Sequence, residues 1–551
     1  MIILGITYVA SRNTAACIIK DGKLVAFSEE ERHNRVKAAP YYFPADAIEF
    51  CLQKAGVEKS EVDIVAIGQD EKMAHSNSIS PNITTNTPIM YGAIATMCED
   101  WVGKIRWYPH HDCHAISSII PSKFGKTNYL TADAVGDMNA GVYGYFDGEK
   151  LNHLGEIEPK KSLGAFYSHV TTFLGWIRNV EEGKTMGLAC YGNIDNKLLP
   201  EYSLATIGND GDLLECDADG YRDYLFSQDG AMGGEVREEM RWLRQEIMEN
   251  TMSKSSVNIA ATAQHYFEQY VFSYIDYLSG ISKSKNLCVA GGAFLNCTTN
   301  GKIYKRGNIE NFFIQPASND SGLALGAAIF GHREVTNEWP DVDFNTAYWG
   351  SEFTDSEIES SLKSHNLQYE VVNPSSHLAD LIHSNMVVGY FEGRSEVGPR
   401  ALCHRSILAN PTIKENLDRV NKIKKREWWR PLAPTIAEDY LNEITDLEVS
   451  SPFMLMACQV RDEWKDKLPA VTHVDGSCRP QSVNESQNKI IYDSLLQFKK
   501  LSGVPVFLNT SFNIQEPLVD SPSDAIKTFK NSKLDALIMN KFCIYRRGIK
   551  L

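Results

Sequence analysis

Positive charge is scarce in this chain. Its 551 residues carry 55 lysines and arginines against 70 aspartates and glutamates, a formal net charge of -15. Nucleic acid is held largely by Lys and Arg, so the balance argues against a nucleic-acid partner. Local basic clusters can still hold small phosphates. A disulfide framework is missing too. The 12 cysteines form no Cys-x-x-Cys pair, which in a long chain without a leader reads as reduced thiols in a cytoplasmic protein. Long apolar runs are absent as well. The opening MIILGITYVAS lacks a basic stretch and is too short for a signal core or a membrane span; it reads as a buried strand, with no membrane partner. There is no low-complexity segment and no solenoid period. What is present is an ordinary globular composition, 43% hydrophobic and 23% charged, in a chain long enough for two or three domains.

The N-terminal part carries an apparent duplication. MIILGITYVASRNTAACIIKDGKLVAFSEE gives a strand, a polar loop, a second strand, an Asp21-Gly22 turn and a third strand. NYLTADAVGDMNAGVYGYFDGEKLNHLGE repeats that order around Asp147-Gly148. Asp-Gly between alternating apolar runs is a strong hairpin signal, so two related α/β lobes are expected, with their first loops facing a central cleft. Further on, 286–303 reads as a strand, then Gly291-Gly292, then a helix; 316–331 is a loop with Asp320 that opens an Ala/Gly-rich helix. The polar stretch 332–355 reads as a linker, followed by a second domain with strands near 387–393 and 503–511.

Several runs suggest chemistry. In PHHDCHA (109–115), His110 and His114 are four apart, so on a helix they share a face and can chelate one metal. Asp133 after an apolar run and Asp320 before a helix could complete an N/O ligand set suited to Fe(II), Mn(II) or Zn(II). Unrelated histidines are the alternative, and His111 needs no ligand role. The run is not His-Glu-x-x-His, which disfavours a zinc protease. EEGKTMGLACYG (181–192) places Lys184 between glycines, either as a phosphate contact or in an ordinary turn; it is not a Walker A loop. GRSEVGPRALCHRS (393–406) offers Arg394, Arg400 and Arg405 among Gly and Pro. REWWRPLAPTI adds Arg426 and Arg430, HVDGSCRPQSV adds His473 and Arg479, and LNTSFN adds Asn509, Ser511 and Asn513. Guanidinium forks bind phosphate oxygens bidentately, and the Gly and Pro residues favour a shaped anion-binding loop over a solvated charge face.

Together HHxxHA, EGKTMGLAxYG, AGGxxLNCxxN, GRxExGPRALxxRSIL, REWWRPxAP, HVDG and GVPVxLNTSFN, in this order over almost the whole chain, resemble the NodU/CmcH-type O-carbamoyltransferases. The resemblance implies an α/β protein with a duplicated actin-like, sugar-kinase-like (ASKHA) domain over 1–350 and a YrdC-like domain over 351–551. It implies that carbamoyl phosphate and ATP, with Mg2+, give carbamoyladenylate in the second domain. Transfer to a hydroxyl of a small acceptor, a sugar or natural product, then occurs at an Fe(II) site in the first. The carried-over ligands are His110, His114, Asp133 and Asp320. Gly291, Gly292 and Asn296 would flank adenosine, and Arg394, Arg400, Arg405, Arg430, Arg479, Asn509 and Ser511 would hold the donor. Exposed lobe edges allow a homodimer.

The chain departs from this pattern twice. Arg12 stands where family members carry the histidine that serves as base, and an arginine keeps its proton; Asp137 or His33 would have to act instead, or the acceptor chemistry differs. Cys403 replaces a glycine and would be strained if its loop needs positive φ. Readings from other classes are a sugar-kinase-like phosphotransferase, a tRNA threonylcarbamoylation-type enzyme, and a carbamoyl-nucleotide-binding protein that has lost transfer.

Overall fold

The computed structural model describes residues 1–7, 12–71, 87–199, 205–207, 213–226, 245–306 and 308–546. Residues 8–11 of the first loop therefore lie outside the described residues. Strands β1 (Ile2–Thr7), β2 (Ala15–Lys20) and β3 (Lys23–Glu29) form an antiparallel meander. Asp21 and Gly22 both take positive φ, 50° and 75°, as a two-residue hairpin turn that follows the strand twist requires. β4 (Ile64–Ile67) and β5 (Ile105–Trp107) complete a sheet of order β3-β2-β1-β4-β5.

The second sheet repeats this order. β6 (Thr127–Thr131), β7 (Gly141–Phe146) and β8 (Leu151–Ile157) are again antiparallel. A short ribbon, β9 (Ala205–Ile207) and β10 (Leu214–Cys216), stands apart. β11 (Asn286–Ala290) and β12 (Asn311–Ile314) finish the sheet as β8-β7-β6-β11-β12. The duplication read from the sequence is thus present in topology. One detail differs: β7 and β8 are joined by four residues, because the Asp147 carboxylate accepts the amides of both Glu149 and Lys150.

The C-terminal part is a mixed eight-stranded sheet. Its strands are β13 (Glu370–Val371), β14 (Val388–Phe391), β15 (Arg405–Ala409), β16 (Ala433–Ala437), β19 (Gln481–Val483), β20 (Val506–Ser511), β21 (Ala536–Met539) and β22 (Phe542–Tyr545). They run in the order β13-β22-β21-β14-β15-β20-β16-β19. β17 (Cys458–Gln459) and β18 (Ser477–Cys478) make a separate ribbon. Helix starts here carry their own signals: Thr354 with Glu357, and Ser521 with Asp524, form capping boxes.

Contacts divide the chain into two compact units. One comprises Met1–Val65, Ala93–Lys104 and Asp341–Leu551, the other Ala66–Gly92 and Ile105–Pro340, the boundary passing through β4. Within the first, Arg32 donates to Gly398 O, and Arg35 to Pro517 O and Leu518 O, so the segment after β3 is fastened to the C-terminal part. Beside it, burial pushes the Glu30 carboxyl up to about 7, although it accepts the Ala47 amide. A carboxyl raised in the folded state favours folding at low pH, and that advantage fades as pH rises from about 4 to about 7. Glu30→Gln keeps the acceptor, and is expected to flatten the dependence of the urea midpoint over that window.

Candidate active-site residues

The unit containing the second sheet gathers the four expected metal ligands. β6, β11 and β12 are parallel, and Thr131 pairs with Ala290 and Val289 with Ile314, so the loops that follow leave from one edge of the sheet. Such an edge is where open α/β sheets place their sites. Asp133 follows β6, Gly291 and Gly292 follow β11, and Asp320 lies beyond β12 at the start of the turn Asp320–Gly322 that leads into the helix Leu323–Thr336. The helix His110–Ser122 crosses that helix closely, because a Cβ on Gly326 would lie 2.1 Å from the Cys113 carbonyl.

The result is a compact N/O cluster. His114 Nε2 lies 3.4 Å from Asp133 Oδ2 and 3.8 Å from Asp320 Oδ1, and His110 Nε2 lies 3.9 Å from Asp320 Oδ1. One donor atom from each of the four residues falls within 4.8 Å of the others. Among the described residues, His110 Nε2 and His114 Nδ1 are buried without a hydrogen-bond partner. Burial holds His110 well below its ordinary range, and His111 and His114 add to this. Burial also lowers His114, but Asp133 and Asp320 outweigh it and raise it to about 9. Burial and the neighbouring Asp133 push the Asp320 carboxyl up, whereas His114 and His110 overcome burial to hold Asp133 low. Two carboxylates in one dry space resist joint ionisation unless a cation separates them. The donor set fits a divalent transition metal.

The surroundings fix this geometry. A Cβ on Gly136 would sit 2.3 Å from His110 Cδ2, so only glycine lets that ring lie where it does. Asp137 Oδ2 accepts the backbone amides of His110, at 2.8 Å, and Asp70, at 2.7 Å, which anchors the start of the helix His110–Ser122. Burial raises Asp137 to about 6. Gly291, at φ 99°, leaves no room for a Cβ against the Ala132 carbonyl at 2.2 Å, and the Gly292 amide donates to Asp133 at 3.4 Å. Gly136→Ala is therefore expected to weaken Co(II) affinity about 10- to 100-fold, the usual cost of disturbing a ligand's support. A cobalt titration followed by its visible absorption checks this.

Other expected residues fall elsewhere. Asn296 caps the helix Cys297–Tyr304 through the Thr299 amide and exchanges hydrogen bonds with Gln264. Its amide is part of the fold, and its place beside adenosine gains no support from geometry. Lys184 pairs with Glu181 at 2.7 Å in the helix Glu182–Ala189, so that run is helical and not a turn. Arg12 belongs to the other unit, where the next residue, Asn13, donates its amide to Ala38 O at 2.6 Å. His33 Nε2 faces Ser28 Oγ at 2.8 Å.

In that unit the expected cations divide into two groups. Arg405, 0% exposed, donates to the carbonyls of Glu392, Gly393, His404 and Ser351 and stacks on Phe391. Arg394 likewise donates to Val25, Trp349 and Gly350 carbonyls. Both guanidinium groups are committed to main chain, which removes the ground for giving them phosphate. Glu396 joins them in holding the loop, its Oε1 accepting the amides of Leu402, His404 and Arg405. Cys403 takes φ 76°, the strained position anticipated, with Sγ near Thr435, Gln481 and Asn509. Asn509 is buried in that same polar group.

The second group is a cationic cluster. Burial, then Arg430 and Arg479, pull Arg426 down to about 9. Burial, then Arg426 and Arg430, push Lys424 well below its ordinary range, and Lys37 adds to it. Lys424 Nζ donates to Ser511 and Asn513 through main-chain and side-chain oxygens at 2.6 to 3.0 Å. Glu427, 3.8 Å from Arg430, and Glu516 offset part of this charge, and a bound anion would offset more. Lys424 was not singled out from the sequence, although the run KIKKREWW (422–429) carries the signal.

A duplicated five-stranded lobe with a mixed-sheet C-terminal part defines an α/β protein of the actin-like, sugar-kinase-like class. Residues 75–329 match the family model "Carbamoyltransferase N-terminus" and residues 379–546 match "Carbamoyltransferase C-terminus". Nodulation protein NolNO of Sinorhizobium fredii is 34% identical, over 97% of this chain and 79% of that protein. Nodulation protein NolO of Bradyrhizobium diazoefficiens is 35% identical over 80% and 79%. Among solved structures, component A of the (R)-2-hydroxyglutaryl-CoA dehydratase of Acidaminococcus fermentans covers 61% of this chain and 98% of its own at 16% identity, with a TM-score of 0.34. The chain belongs to the carbamoyltransferase family. It is a carbamoyltransferase, as its motifs implied.

Proposed function

We propose that this chain is an ATP-dependent O-carbamoyltransferase with two reaction centres. The donor half-reaction is assigned to 351–551. There water cleaves carbamoyl phosphate to phosphate and carbamate, and a carbamate oxygen attacks the α-phosphorus of ATP and expels pyrophosphate, leaving carbamoyladenylate. The observation that carries this reading is the cationic cluster of Lys424, Arg426, Arg430 and Arg479, whose mutual repulsion in a buried setting is relieved by a polyanion. Arg400, Asn509 and Ser511 are assigned to the same donor site, Ser511 through its bond from Lys424. Residues that are already close together lose little on binding, and burial strengthens each contact to the developing charge.

Transfer is assigned to 1–350. His110, His114, Asp133 and Asp320 would hold Fe(II) or another divalent transition metal, which supplies Lewis-acid polarisation of a carbonyl when bound. Gly291 and Gly292 offer close backbone approach for the adenosine end, and Lys184 a cation for its phosphate. The acceptor hydroxyl loses its proton as it attacks the carbamoyl carbon, and AMP leaves. Arg12 cannot take that proton. Asp137, raised to about 6, has the proton affinity the step needs.

The test is a metal-loaded incubation with 13C-carbamoyl phosphate, ATP and a panel of hydroxylated sugars and natural products. A labelled carbamate ester, dependent on metal, is expected. Continued pyrophosphate release with no labelled ester on any compound would reduce the chain to a maker of carbamoyladenylate and overturn the transfer assignment.

A further inference from the structure

The β17–β18 ribbon places two thiols face to face. Cys458 and Cys478 are direct cross-strand partners, their sulfurs 3.8 Å apart, and both are reduced. Directly opposed residues of antiparallel strands hold their Cα atoms about 4.5 to 5.5 Å apart, inside the range of about 4.4 to 6.8 Å that a disulfide spans. The sulfurs then have to close from 3.8 Å to about 2.05 Å, and the two short strands adjust with them.

We propose that Cys458 and Cys478 are an oxidisable dithiol whose closure acts on the adjoining Arg479. Both side chains are buried, at 3% and 6% exposure, so reaction requires the ribbon to open. Each strand is two residues long, so opening the ribbon breaks few ladder bonds. The connecting segment also surfaces at Val474, 59% exposed. The chemistry is thiol–disulfide exchange with a small-molecule disulfide. One cysteine thiolate attacks a sulfur of that disulfide and expels one thiolate. The second cysteine thiolate then attacks the mixed disulfide and expels the other. The two cysteines are oxidised by two electrons, the small disulfide is reduced to two thiols, and the protons end on the released thiolates. Arg479 follows Cys478 directly and acts on Arg426 electrostatically, so drawing the sulfurs together shifts one member of the cationic cluster. Misplacing a positioned group by about an ångström can cost up to about 100-fold in rate.

The experiment treats the folded, full-length protein with glutathione disulfide, blocks remaining thiols with iodoacetamide and maps peptides without reduction. A linked peptide joining Cys458 to Cys478 is expected, with carbamoyl-phosphate-dependent pyrophosphate release at least about tenfold lower and dithiothreitol reversing both. Cys458→Ala is expected to keep its basal rate and lose the sensitivity, with Cys478→Ala as the second variant. Absence of the linked peptide overturns the proposal, as does a linked peptide with an unchanged rate. The rate readout rests on the donor reaction proposed above. If the reduced protein releases no pyrophosphate, that reaction fails, and the peptide map alone still decides the dithiol.

Discussion

Arg479→Ala lowers carbamoyl-phosphate-dependent pyrophosphate release by about 100-fold at low substrate, chiefly through KM. Each hydrogen bond from a charged donor contributes about 1.5 to 3 kcal/mol, and a guanidinium can make two to one phosphate. Loss of about 3 kcal/mol is roughly 100-fold. Among the described residues Arg479 Nε is buried without a hydrogen-bond partner, and its charge depresses Arg426. Truncation therefore relieves repulsion in the free protein, and Tm should not fall. Arg479→Lys restores only part of the loss, since a point charge cannot make the two-pronged contact. Initial rates against carbamoyl phosphate concentration check this. An unchanged KM would take Arg479 out of the donor site.

His114→Ala is expected to act on the other half of the reaction. The side chain is wholly buried between Asp133 and Asp320, so removing it deletes a nitrogen donor and leaves the carboxylates facing each other. Losing a mere supporting partner costs about 10- to 100-fold in metal affinity, and losing a ligand should exceed that. Metal content after desalting falls to background, and labelled ester formation is lost. Pyrophosphate release persists, because the cationic cluster belongs to the other unit. Wild-type metal content in the variant would count against the ligand assignment.

Much of the N/O cluster was legible because each of its four side chains is delivered by a local rule. Spacing of four on a helix aligns His110 with His114, and Asp133 and Asp320 sit where strand ends and helix starts meet. Gly136 and Gly326 were not legible, since their need for glycine arises from His110 and Cys113, remote in sequence. The arginines show the same limit. A Gly- and Pro-bearing loop with three arginines signals a shaped cationic site, yet Arg394 and Arg405 find carbonyls contributed by segments as distant as Val25 and Ser351. Asn296 also carries a local signal: Asn three residues before Thr299 at a helix start is a capping pattern. Cys403 was read correctly because positive φ is a backbone property that a substituted glycine reveals.

The most direct test separates adenylation from phosphoryl transfer. Protein loaded anaerobically with Fe(II) is incubated with ATP and 13C-carbamoyl phosphate, and its nucleotides are resolved by mass spectrometry. Pyrophosphate with labelled carbamoyladenylate, formed only when both substrates are present, is the expected result. ADP in place of pyrophosphate, with no label on the nucleotide, would contradict the two-centre account.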